Sequence, residues 1–105
     1  MALLDGVKVS MGGREFIVPS LTLKSLKGLS SKLEVLSSMG GIPTSDQIDA
    51  MVVVIHSAMV RNYPELSLTD VEELLDLSNL QTTFLSVMAA SGLQKKSGEV
   101  ESPQN

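Results

Sequence analysis

The stretch from Gln47 to Val60 constrains the fold most strongly, because it is apolar on almost every side. One set of its residues keeps the three- and four-residue spacing of a helix, and three further valines make the other sides apolar: Ile48, Met51, Val52, Ile55 and Met59, then Val53, Val54 and Val60. A helix of this kind must be buried on most sides, either by its own domain or by another subunit.

The residues around this stretch indicate which element it forms. Thr44 and Gln47 make a capping-box pattern, and Ser45 is an alternative N-cap. The β-branched run from Val52 to Ile55 is also compatible with a buried strand, because periodicity does not separate the two for short apolar runs. The capping signal and the distance to Asn62 favour a helix.

Near the N-terminus, polar and apolar residues alternate on both sides of a Gly-Gly pair. The apolar positions of this alternation include Val7, Val9, Met11, Phe16 and Val18. Glycine supplies the positive φ angles of tight hairpin turns, so Gly12 and Gly13 predict a β-hairpin. A lone hairpin is marginally stable in water, and we expect it to pack on the rest of the chain.

A stripe of leucines then predicts one helix, capped by Ser20 or Thr22 and ending near Met39. The stripe consists of Leu23, Leu26, Leu29, Leu33 and Leu36. Gly28 weakens the middle of this helix by about 1 kcal/mol relative to Ala. The pair Gly40–Gly41 is expected to stop it.

The segment RNYPELSLTDVEELLDLSNL contains several helix boundaries in close succession. Pro64 disfavours helical geometry in the residue before it, and so ends the long helix. Ser67 to Asp70 and Thr69 to Glu72 are overlapping capping-box patterns for a short acidic helix. We expect Asn79 to cap a last helix that ends at Gly92.

Together these patterns predict an α+β fold that is mainly α, with an N-terminal β-hairpin packed on a bundle of about four helices. A chain of 105 residues has room for one core, so residues 1–93 are expected to form a single helical domain with its hairpin. Residues 94–105 contain one apolar side chain, Val100, and are expected to form a disordered tail.

Composition excludes several classes of protein. A net charge of -4, two Phe, one Tyr and no Trp disfavour binding to nucleic acid. The absence of cysteine removes disulfides, thiolate metal sites and cysteine nucleophiles. The longest apolar run, Ala50 to Ile55, is far shorter than the roughly 20 residues of a membrane span. We therefore expect a soluble cytoplasmic protein.

No pattern of residues predicts catalysis, a metal site or a cofactor. His56 is the single histidine, and Asp49 lies two helical turns away, about 11 Å, too far for direct proton transfer. The acidic residues do not match a calcium-loop pattern. Neither Gly12–Gly13 nor Gly40–Gly41 is followed by the residues of a phosphate loop, so both pairs predict turns.

Charge is unevenly distributed along the chain, with bases in the first third and acids between Glu65 and Asp76. Complementary ends of this kind can associate head to tail, although charges also segregate by chance. The residues we expect on a partner or self-association surface are Met51, Val53, Val54, His56, Glu65, Asp70, Glu72, Glu73, Asp76, Lys24 and Lys27.

The order of a hairpin, an LTLKSLKGL helix, a long apolar helix, RNYPELSLTDVEELLDLSNL and a closing VMAASGL resembles the tail assembly chaperones of long-tailed bacteriophages. The resemblance covers roughly Phe16 to Leu93. Its most specific part runs from Arg61 to Leu80, where a helix end, Asn-Tyr-Pro, a cap and an acidic helix follow in order.

This resemblance implies a non-enzymatic role for a phage or prophage protein. Members of that family keep the tape measure protein soluble while tail tube subunits assemble around it, and they are absent from the finished tail. It implies the tape measure and tail tube proteins as partners, and action in the host bacterial cytoplasm. Such chaperones often have a longer frameshifted product, and Gln94 to Lys96 are compatible with a slippery codon string or with an ordinary polar tail.

Two other functions are also compatible with the sequence. The short helix at Asp70 and the helix after Asn79 could form a helix-turn-helix of a small DNA-binding regulator, but Leu80 to Ser91 contain no Lys or Arg to contact DNA. The other alternative is a different non-enzymatic adaptor, which would form a stable stoichiometric complex with one partner.

Overall fold

A computed structural model describes residues 4–36 and 41–92 of the chain. Within them, two strands precede five helices: β1 Val7–Met11, β2 Arg14–Val18, α1 Leu23–Gly28, α2 Ser30–Leu36, α3 Ser45–Met59, α4 Leu68–Leu74 and α5 Leu77–Ala90. This confirms the predicted α+β, mainly α class with an N-terminal hairpin. The predicted helix end at Met39 and the predicted tail at 94–105 lie outside the described residues.

The hairpin forms as predicted, and its turn is built by the two glycines. β1 and β2 are antiparallel, with Met11 opposite Arg14 closing a two-residue turn. Gly12 and Gly13 have φ angles of 58° and 76°, which residues with a Cβ adopt only at a cost. The register places four buried side chains on the same face of the hairpin: Val9, Met11, Phe16 and Val18.

The apolar stretch that begins at Gln47 is a helix, α3, and its own domain covers it. The Thr44 hydroxyl accepts a hydrogen bond from the Gln47 amide at 3.1 Å, and the Gln47 side chain accepts one from the Thr44 amide at 2.9 Å. This is the predicted capping box. The buried side chains of α3 are Gln47, Ala50, Met51, Val52, Val54, Ile55, Ala58 and Met59. The hairpin, α2, α4 and α5 all pack against this helix.

The prediction of one continuous helix from Thr22 onward is wrong, because the chain breaks at Leu29. Thr22 caps α1 as expected, but Leu29 leaves helical geometry at φ -103° and ψ 4°. Leu29 is buried, whereas α1 contains no buried residue. The break therefore lets Leu29 enter the core and α2 pack on α3.

Capping motifs start both α4 and α5, and the second of them differs from the prediction. Ser67 and Asp70 form the expected capping box at the start of α4. The last helix, α5, is capped by Asp76 rather than by Asn79, whose side chain bonds back to the Asp76 amide at 2.8 Å. A carboxylate at this position accepts hydrogen bonds from the orphan amides and also interacts well with the helix dipole.

Candidate functional site

Asn62 and Tyr63, which follow α3, have a structural role, because their side chains join the end of this helix to strand β2. The side-chain nitrogen Nδ2 of Asn62 donates to the carbonyls of Ile17 at 2.9 Å and Leu4 at 3.0 Å, and its Oδ1 accepts from the backbone amide of Leu4 at 2.7 Å. The Tyr63 hydroxyl accepts from the Ile17 amide at 2.8 Å. The Tyr63 ring also meets Phe16 edge-on, with centroids 5.2 Å apart. These bonds occupy the outward backbone groups of Ile17, which would otherwise be an open strand edge.

His56 also has a structural partner. Its Nε2 lies 3.0 Å from the Leu66 carbonyl oxygen. A carbonyl only accepts, so Nε2 is the protonated nitrogen of this pair. The bond ties α3 to the loop before α4 and gives the partly buried His56 a polar partner.

The acidic residues between Glu65 and Asp76 do not act as one cluster. There are five of them: Glu65, Asp70, Glu72, Glu73 and Asp76. Asp70 accepts from the Ser67 amide at 2.9 Å in its capping box. Asp76 accepts from the amides of Ser78 at 2.9 Å and Asn79 at 3.1 Å, and from the Ser78 hydroxyl at 2.6 Å. These hydrogen bonds lower the pKa of Asp76, and the bond from the Ser78 hydroxyl is the largest cause. Two of the five carboxylates therefore stabilise helix ends.

The acids also line two different cavities. Glu72 and Asp76 lie at a mainly apolar groove, whereas Asp70 and Glu73 lie at a more polar cavity of about 470 Å³ beside Arg14 on the hairpin. This division follows from the helical geometry of α4, which directs successive side chains to different sides.

The apolar groove is a candidate binding surface in the part of the chain that the structure describes. It lies between α3 and the junction of α4 with α5 and has a volume of about 420 Å³. Its apolar walls are Ile48, Val52, Leu75, Leu77 and Leu80. Leu77 is 63% exposed, at the first position of α5. With Glu72 and Asp76 at its margin, we call these seven residues the acid-rimmed groove.

A second apolar cavity lies further along the same pair of helices. It has a volume of about 300 Å³ and is lined by Leu36, Met51, Gln81, Phe84 and Leu85. Leu85 is 52% exposed, and it follows Leu77 by eight residues on α5. Residues four and eight apart share a helix face, so Leu77, Gln81 and Leu85 form one stripe along α5.

The structure changes the status of several predicted surface residues. Met51 and Val54 are fully buried, so their placement on a partner surface is corrected: they belong to the core of the domain. Val53 is partly buried. Lys24 and Lys27 are exposed on α1. The periodicity of α3 did not distinguish contact with its own domain from contact with another subunit.

Sequence reasoning missed most of the acid-rimmed groove. Leu77 was the available signal: it is an exposed apolar residue between Asp76 and Ser78, three residues before the buried Leu80 of the same helix. With the cap placed at Asn79, Leu77 falls in the loop before the helix. With the cap at Asp76, Leu77 is the first helical residue, and the helix sets the direction of its side chain.

The described residues contain no group of three His, Cys, Asp or Glu side chains that could hold a metal ion. Within residues 4–36 and 41–92, no helix is both long enough and apolar enough to cross a membrane. Helices α4 and α5, considered above as a helix-turn-helix, contain no Lys or Arg between Leu68 and Ala90.

Comparisons of the chain with protein-family models, with curated proteins and with solved structures find no match.

Proposed function

We propose that this protein is a tail assembly chaperone of a long-tailed phage or prophage. It binds the tape measure protein and keeps that protein soluble and competent for assembly while tail tube subunits polymerise. It acts in the host bacterial cytoplasm and does not remain in the mature virion. The observation that carries the proposal is the acid-rimmed groove.

The groove suits one face of an amphipathic helix. Its walls are leucine, isoleucine and valine, and its exposed side chain, Leu77, can pack against an apolar stripe. Recognition of a helix in a hydrophobic groove uses such anchors, spaced at three and four residues. Glu72 and Asp76 at its margin favour a client segment with Lys or Arg beside its apolar stripe. A long helical client with exposed apolar stripes would aggregate if those stripes were not covered.

The test is co-expression with the tape measure protein of the same phage, followed by measurement of the fraction of that protein in the soluble phase. Wild type should raise the soluble fraction, and Leu77→Ser should reduce this effect. Leu68→Ser is the matched control, because Leu68 is also an exposed leucine at the first position of a helix behind a capping box. It does not line the groove.

Equal insolubility of the tape measure protein with and without this chain would remove the proposal. Equal activity of Leu77→Ser and Leu68→Ser would keep the chaperone but place its client elsewhere. The absence from finished virions has its own test, which is mass spectrometry of purified tails. Detection of this chain there in stoichiometric amounts contradicts that part of the proposal.

A further inference from the structure

Helix α1 carries an apolar side chain that the rest of the described structure leaves largely exposed. Leu23 is 79% exposed, and Lys24 and Lys27 on the same helix are exposed. α1 contains no buried residue and packs mainly against α2. An exposed leucine with lysines beside it is the chemistry that the acid-rimmed groove fits, with an apolar interior and carboxylates at its margin.

The position of α1 prevents it from filling the groove of its own protomer. The Leu21 amide donates to the Ser91 hydroxyl at 2.9 Å, so the chain enters α1 at the C-terminal end of α5. Asp76 and Leu77 lie at the N-terminal end of the same helix. The 14 residues of α5 separate the two ends by about 21 Å, since a helix rises 1.5 Å per residue. Leu23 can therefore reach this groove only on another molecule.

We propose that the acid-rimmed groove of one protomer binds helix α1 of a second copy, with Leu23 in the groove and Lys24 and Lys27 facing Glu72 and Asp76. The contact is heterologous, because the surface on one copy differs from the surface it meets on the next. Heterologous contacts form open chains, or rings where the rotation closes.

The same groove is then occupied either by α1 of another copy or by a client helix. Both would contact the same seven residues, so one excludes the other. Self-association therefore covers the exposed Leu23 and Leu77 while no client is present, and a client helix displaces α1 from the groove. This regulatory step rests on the proposed function, whereas the contact between copies does not.

A contact built around one short helix buries less surface than the roughly 1,000 Å² of a stable interface. The association is accordingly weak and dynamic, and the mass of the species should rise with protein concentration. Weak binding also allows replacement by a client that offers a longer apolar stripe.

Light scattering coupled to size-exclusion chromatography, and sedimentation velocity at several concentrations, test the contact on the purified chain alone. Wild type should exceed dimer mass as concentration rises. Leu23→Ser and Leu77→Ser should each weaken association by about tenfold or more, since each removes an apolar anchor at the centre of the contact. Leu68→Ser is the matched control and should associate like wild type.

Mixing the two anchor variants gives a sharper result. Leu23→Ser keeps an intact groove and Leu77→Ser keeps an intact α1, so together they have one complete contact. The mixture should form dimers and stop there, while each variant alone stays monomeric. A wild-type monomer at millimolar concentration overturns the proposal, and so does a mixture that remains monomeric. A wild-type species that stops at dimer also overturns the head-to-tail contact.

Charge reversal tests the register of the contact. Lys24→Glu with Lys27→Glu should weaken association, and Glu72→Lys in the partner copy should restore part of it. Asp76 is left unchanged because it caps α5. No restoration by Glu72→Lys would overturn the assignment of Glu72 to these lysines.

Co-expression separates this inference from the proposed function. Leu23→Ser should still keep the tape measure protein soluble, because its groove is intact. Loss of client solubility with Leu23→Ser would overturn mutual exclusion, since association would then be needed for the client. If self-association behaves as stated while no variant affects the tape measure protein, the contact stands and the proposed client does not.

Discussion

Replacing Asn62 by alanine tests whether the Asn-Tyr pair holds the hairpin on the helices. The side chain makes three hydrogen bonds, to the Ile17 carbonyl at 2.9 Å and to the Leu4 carbonyl and amide at 3.0 and 2.7 Å. The Ile17 bond is partly buried, while both Leu4 bonds are exposed to water. An intramolecular hydrogen bond contributes about 0.5–1.5 kcal/mol net, with exposed bonds at the low end. The sum is about 2 kcal/mol.

This loss is a large fraction of the ~5–15 kcal/mol by which small domains are stable. We expect Asn62→Ala to lower the free energy of unfolding by about 2 kcal/mol and the melting temperature by roughly 10 °C. Urea denaturation followed by circular dichroism measures the first quantity. An unchanged m-value, the slope of the free energy of unfolding against urea concentration, would show that the variant unfolds from the same compact state.

A second variant and a control complete the test. Tyr63→Phe removes the hydroxyl that accepts from the Ile17 amide but keeps the ring on Phe16, so it should cost about 1 kcal/mol and speed hydrogen exchange at Ile17. Thr82→Ala, at an exposed position on α5, should change stability by less than about 0.5 kcal/mol. An Asn62→Ala variant as stable as Thr82→Ala would refute the reasoning, because the bonds to Leu4 and Ile17 would then contribute nothing.

Three further outcomes follow from single positions. Gly13→Ala should destabilise the hairpin by about 1 kcal/mol, because φ is +76° with open space around it. Gly12→Ala should also destabilise it, because φ is +58° and the Leu74 side-chain Cδ2, 2.8 Å from the added Cβ, would have to shift; urea denaturation measures both variants. Gly28→Ala should raise stability by up to about 1 kcal/mol, because the added methyl meets nothing and helix propensity improves; a lower melting temperature would contradict this. Asp76→Ala should destabilise the protein at neutral pH. The lowered pKa of Asp76 makes its contribution present above about pH 4 and lost as pH falls further, so wild type and variant should converge in acid.

Local sequence signals predicted most of the individual elements. The Gly12–Gly13 turn, the Thr44 capping box and the Ser67 capping box are each formed by residues within four positions of one another, and all three are present. Such signals depend on the local backbone and need no information about distant residues. The same reasoning placed the cap of α5 at Asn79, whereas Asp76 is the cap in the structure. Both residue types can cap a helix, so the local sequence does not separate them.

Predictions about surfaces were less successful, for a different reason. Met51 and Val54 have the composition of an interface, but the domain buries them in its own core. The groove beside Glu72 is formed by parts of three helices, and its walls come together only when α4 and α5 pack on α3. No local pattern predicts a cavity between elements that are distant in sequence.

The sequence by itself determined the class of fold, the hairpin and its turn, the start of α3 and the start of α4. These follow from side chains that bond or pack within one turn of the backbone. Only the tertiary structure decided that Leu29 breaks a helix, that Asn62 and Tyr63 bind strand β2, and that the acids divide between helix caps and the margin of a groove. Each of these depends on contacts between residues distant in sequence, whose energies outweigh local preference once the core has formed.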